Sequence, residues 1–134
     1  MKNVLAVIIG FVVASLTVYS FETLLGQSLF PLPEGIDPMD MDSLKDNMHL
    51  IPMGSKIFVV IAHFIGIIAG MFVAGLISKT SMVPAYIVGG LMLLATFFNI
   101  LMLPKELWFT LSDGLLAIVG FLLGKSLAKK QLSN

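Results

Sequence analysis

Residues 55–77 read SKIFVVIAHFIGIIAGMFVAGLI. Beyond Lys56 the stretch carries a single ionisable side chain, His63, and no proline. At about 1.5 Å per residue a helix of this length crosses roughly 30 Å of hydrocarbon. The apolar residues run almost without break, and the alternation of a barrel strand is absent, so backbone groups in lipid are best satisfied within a helix. The stretch therefore predicts a membrane-spanning helix.

Three more runs of this kind are bounded by charge, proline or polar clusters: about Val4 to Leu25, Val83 to Leu103 and Lys105 to Leu127. The expected fold is an all-α membrane protein, a single domain over 1–134 with four transmembrane helices in an antiparallel bundle. The first run is too long for a secretory leader and lacks a convincing small-x-small cleavage site before Glu22, so it is expected to remain as a helix. Short links near Ser78–Met82 and Pro104 make consecutive helices antiparallel neighbours, and Pro84 and Pro104 suit the first turn of a helix, where a missing amide proton costs little.

Composition excludes several classes. The chain is 57% hydrophobic and 12% charged, far from a soluble domain, and its formal net charge of zero offers no basic field for nucleic acid. Without cysteine there is no disulfide, thiolate nucleophile or Cys-ligated metal. No HExxH or GxSxG occurs, and Ser112 beside Asp113 is not a nucleophile arrangement. No catalytic residue, cofactor or metal site is assigned.

Orientation rests on lysine, since the chain has no arginine. In a four-span chain Lys2, Lys79, Lys125, Lys129 and Lys130 share one side, whereas Lys45, Lys56 and Lys105 share the other. The bias places both termini in the cytoplasm and the segment from about 26 to 54 outside, with Trp108 as an outer interfacial anchor. That segment is acidic and Met-rich. Asp37 as cap and Pro38 at the first helical position predict a short helix, with Met41, Leu44, Met48 and Ile51 near one face and Pro52 ending it. An amphipathic helix over the outer mouth of the bundle is the expected result, and the carboxylate spacing matches no calcium loop.

Helices pack in lipid through small residues. Such ribbons occur at Ala6, Gly10 and Ala14, at Ala62, Gly66, Gly70 and Ala74, and at Gly120, Gly124 and Ala128, with Ala85, Gly89 and Gly90 on the third helix. They serve either packing within the chain or a second subunit.

Ionisable groups inside spans are costly and point to function. Glu22, His63 and Asp113 are the three, and Asn99 adds a polar residue on the remaining helix. His63 and Asp113 lie about eight residues, roughly 12 Å, from the outer ends of their helices, and Glu22 is shallower. At about 100° per residue His63 aligns with Gly70 and Asp113 with Ala117, Gly120 and Gly124, so both face protein. Glu22 aligns with Ser15 and flanks Tyr19, while Asn99 lies near Thr96 and Met92. An outward-opening polar pocket is expected, in competition with plain interhelical hydrogen bonding.

Glu22 before LFPLPEG (29–35), the acidic loop ending HLIPMG (49–54) and the Gly-rich second helix resemble small four-helix bacterial integral membrane proteins of unassigned function. The resemblance implies a bacterial inner-membrane location and the four-helix architecture; it carries no reaction, ligand or site residue. Two roles are expected. The first is a structural or accessory subunit, embedded in the lipid bilayer and associating with itself or with another membrane protein. The second is a small transporter or channel-like protein whose outer pocket takes protons or a small ion.

Overall fold

A computed structural model describes residues 1–37, 39–102 and 106–132. The described residues contain helices and turns and no strand. Four helices are long and apolar enough to cross a membrane. The first span, Lys2–Leu29, comprises α1 (Lys2–Tyr19), a π-helical segment (Ser20–Gly26) and a short α2 (Gln27–Leu29). The others are α4 (Met53–Ser78), α5 (Val83–Met102) and α6 (Leu107–Lys130). Between the first two spans lie α3 (Met41–Asp46) and a 3₁₀ turn (Met48–Leu50).

The first span thus runs four residues past its expected end at Leu25. It continues through the π segment, in which the Gln27 amide bonds to the Glu22 carbonyl five residues back. Such wide turns are rare and concentrate at functional sites.

The helix at residues 41–46 corrects the sequence expectation in detail. Asp40, not Asp37, is its cap, and the Asp40 carboxylate accepts from the amides of Asp42 (3.0 Å) and Ser43 (3.5 Å). Asp37 instead closes a local turn by accepting from the Met39 amide at 2.9 Å. The helix stops at Asp46, before the 3₁₀ turn, so Met41 and Met48 belong to different elements. Pro52 stands at the start of α4. The expectations placed on Pro38, Leu103, Pro104 and Lys105 lie outside the described residues.

Helix α4 is the centre of the assembly and packs most extensively against α1 and α6. Small residues make this possible. A Cβ on Gly70 would lie 2.7 Å from Ala14 Cβ and 2.9 Å from the Gly10 carbonyl oxygen, too close for any side chain without a shift. Gly66 meets Val18 and the Ala14 backbone. On the opposite flank Gly75 abuts the backbone of Ala128, Gly120 abuts Phe64, and Gly124 abuts Met71 and Ile68. Ala62 and Ala74 are also fully buried. Gly90, by contrast, has open space beside it.

Ile67, Met71 and Val88 are fully buried and, with Ala14, Ala74, Ala85, Met92, Ala117 and Ala128, form one core. A smaller cluster of Met48, Val60 and Phe109 lies at the other end, beneath Leu44 and Ile51. At the far end the buried Ser78 hydroxyl lies 3.0 Å from Asn3 Oδ1 and 2.9 Å from the Ser81 carbonyl, tying α1 to the α4–α5 turn.

Candidate functional site

His63, on α4, stands between two carboxylates. Its Nδ1 lies 2.7 Å from Asp113 Oδ1 on α6, and its Nε2 lies 3.2 Å from Glu22 Oε1 in the π segment. Asp113 is fully buried and Glu22 is partly exposed, so the chain of contacts runs from the interior toward open space. A carboxylate in a low-dielectric interior is tolerable only when paired and hydrogen-bonded.

Each link needs one hydrogen, because a carboxylate oxygen and a bare imidazole nitrogen are both acceptors. Two hydrogens satisfy both links and leave the three groups with a net charge of one negative. They can sit on both imidazole nitrogens, or one can sit on a carboxyl, and moving a hydrogen along a link interconverts these arrangements. Removing one hydrogen sets two acceptors face to face. The geometry is that of a hydrogen-bonded relay with one end in the core.

Two cavities meet at Glu22. A cleft of about 440 Å³ lies between α1 and α5, with Phe11, Val18, Met92 and Ala95 on its apolar walls and Ser15, Thr96 and His63 among its polar groups. A smaller cavity of about 110 Å³ lies under α3 and the 3₁₀ turn, bounded by Leu44, Met48, Ile51, Ser55, Lys56 and Phe109. Glu22, Gln27 and Asn99 border both. The smaller cavity has room for a few water molecules. Asp113 lines neither, so of the four residues singled out in the sequence, three reach open space and the fourth stands behind His63.

Lys56 is a buried, paired charge that the sequence reading treated only as topological. Its side chain is 4% exposed, and its ammonium donates to Glu106 Oε1 at the start of α6, while the Trp108 indole donates to Oε2 of the same carboxylate. Lys56 first and Trp108 second hold the Glu106 carboxyl below its ordinary range. The contacts Lys56–Glu106 and His63–Asp113 share one separation of 50 residues, so α4 and α6 stand in a constant register with the two pairs two turns apart. A spacing of seven between Lys56 and His63, repeated between Glu106 and Asp113, is the signal from which both pairs are readable in the sequence.

Among the described residues no group of three or more His, Asp or Glu side chains converges as a metal site. The imidazole separates the two carboxylates instead of joining them around a common point. No protein-family model matches the chain, and neither does any curated protein or solved structure.

Proposed function

We propose that this chain is a small transporter-like protein of the bacterial inner membrane that exchanges protons for a small cation at a pocket open to the outer side. The observation that carries this reading is the hydrogen-bonded series Asp113–His63–Glu22, which ends on a carboxylate bordering two cavities. A proton and a cation compete for one carboxylate, so occupation by the cation displaces the proton into the relay or the cavity. That competition couples the two.

Several features support the arrangement. Along α1 and α4, Gly10 meets Gly70 and Ala74 whereas Val18 meets Gly66, the order of an antiparallel pair. The short link between α4 and α5, and the parallel register of α4 and α6, extend this to an up-down bundle. Lys2, Lys79, Lys125, Lys129 and Lys130 then gather at the cytoplasmic end. Leu44, Met48 and Ile51 turn inward while Asp42, Lys45 and Asp46 are exposed, which makes residues 41–51 an amphipathic cover on the outer side. Below His63 the axis is filled by Ile67, Met71 and Val88, so the pocket opens to one side.

An accessory role through the small-residue ribbons draws less support, because the ribbons of α1, α4 and α6 are occupied within the chain. The test is proteoliposome flux with an internal pH dye and an imposed cation gradient. Wild type is expected to move protons against the cation, and His63→Ala and Asp113→Asn to lose that flux by about tenfold or more. Variants that match wild type in flux and in pH response would sink the reading.

A further inference from the structure

We infer that the cation taken by this pocket is an amphiphile, an alkylammonium that reaches the site sideways from the bilayer between α1 and α5. This rests on the proton–cation reading above and names the substrate class of the same site.

Three observations lead there. The first is size. A cleft of about 440 Å³ falls in the range of drug-sized ligand sites, roughly 300–1,000 Å³, and exceeds the needs of a bare ion. The second is position. Phe11, Ser15, Tyr19 and Ala95 line the cleft and are all exposed on the outer surface of spans α1 and α5, the surface that meets lipid, while His63 at its floor is 8% exposed. The cleft therefore leads from the outward faces of α1 and α5 to the relay. The third is the division of chemistry along it. Phe11, Val18, Met92 and Ala95 suit a hydrocarbon body, and Glu22, His63 and Asn99 suit a polar head.

The sign of the head follows from the charges. With both links closed, Glu22, His63 and Asp113 carry one net negative charge, and Lys56, which lines the smaller cavity with Glu22, is matched by Glu106. An anionic head would meet the Glu22 carboxylate, with no ammonium among the described residues lining the cleft, so an anionic phospholipid is disfavoured by repulsion. A protonated or quaternary amine meets Glu22, whose Oε1 alone is engaged by His63.

The test uses the full chain in phosphatidylcholine nanodiscs and a dodecyltrimethylammonium probe carrying a photoreactive diazirine on its tail, with labelled positions read by peptide mass spectrometry. Labelling is expected in 11–19 and 92–99, competed at least about tenfold better by unlabelled dodecyltrimethylammonium than by dodecyl sulfate, as one favourable charge contact implies. Glu22→Gln is expected to reduce it by about the same factor. Ala95→Trp and Ser15→Leu fill the cleft from exposed positions that leave the core intact, and both are expected to abolish the labelling. Labelling spread over outward faces such as Leu115 and Leu122 and unchanged in Ala95→Trp overturns the inference, as does equal competition by dodecyl sulfate. Wild-type proton flux driven by a water-soluble cation, without cleft labelling, would overturn this inference and leave the proton–cation reading standing. Cleft labelling with no proton flux for any cation would overturn that reading and leave the amphiphile site standing.

Discussion

His63 Nδ1 and Asp113 Oδ1 lie 2.7 Å apart in the interior of four apolar helices, and the carboxylate has no exposed surface. Truncating either partner removes this link from the other. A double-mutant cycle on His63→Ala and Asp113→Ala should give a coupling of about 1–2 kcal/mol, the upper end for hydrogen bonds between membrane helices. Unfolding in mixed detergent micelles measures it, and additive effects of the two substitutions would contradict a direct link.

Helix α1 is held to α4 by the absence of side chains at Gly10 and Gly70. Gly70→Ala must displace Ala14 or the Gly10 backbone, and should cost about 1–3 kcal/mol as an overpacked contact. Gly90→Ala, with open space at the position, should be neutral or stabilise by up to about 1 kcal/mol through helix propensity. Thermal unfolding of both variants separates a packing glycine from an incidental one on the same scale.

The ion pair at the start of α4 and α6 is acid-labile. Because the Glu106 carboxyl is held below its ordinary range, the link contributes stability above that ordinary range, and the contribution disappears as pH falls through the lowered value. Trp108 is the only tryptophan and bonds to the same carboxylate, so its emission reports the event. The emission should titrate with a midpoint below the ordinary glutamate value, and Glu106→Gln should remove that titration.

Lys79 ends α4 with φ of 63°, in the left-handed region, where its amide closes on the Gly75 carbonyl at 3.0 Å. A side chain there is strained by about 1 kcal/mol. Lys79→Gly should therefore raise the unfolding midpoint, and Lys79→Val should lower it.

The four spans were readable because a long apolar run between charge and proline punctuation has few solutions in lipid. Their ends agree with the structure to within a few residues except at the first, where α1 continues through the π segment to Leu29. Nothing in the propensities of SFETLLG marks a wide turn, since it depends on what α1 packs against. The helix in the loop was legible in kind, an acidic cap before Met41, yet misplaced by three residues because Asp37 and Asp40 offer the same chemistry. At the candidate site, depth and helical phase set His63 and Asp113 at one level on protein-facing sides. The partnership of α4 with α6 was less visible, because short links draw attention to consecutive helices, whereas the paired charges run between helices two apart in the chain. Lys56 and Glu106 show the same gap: each reads as an interfacial charge until the common spacing of seven is noticed.

The π segment leaves the first span with a dislocation. Gln27 bonds five residues back to Glu22, so the backbone holds one residue more than an α turn would between the fixed contacts of Gly10 and those of Phe30 against Phe58. Glu22 sits inside that surplus. Its carboxylate thus borders the two cavities from within a widened turn, and a deletion between Tyr19 and Glu22 that restored an α turn would rotate it by about 100° relative to the contacts of Gly10.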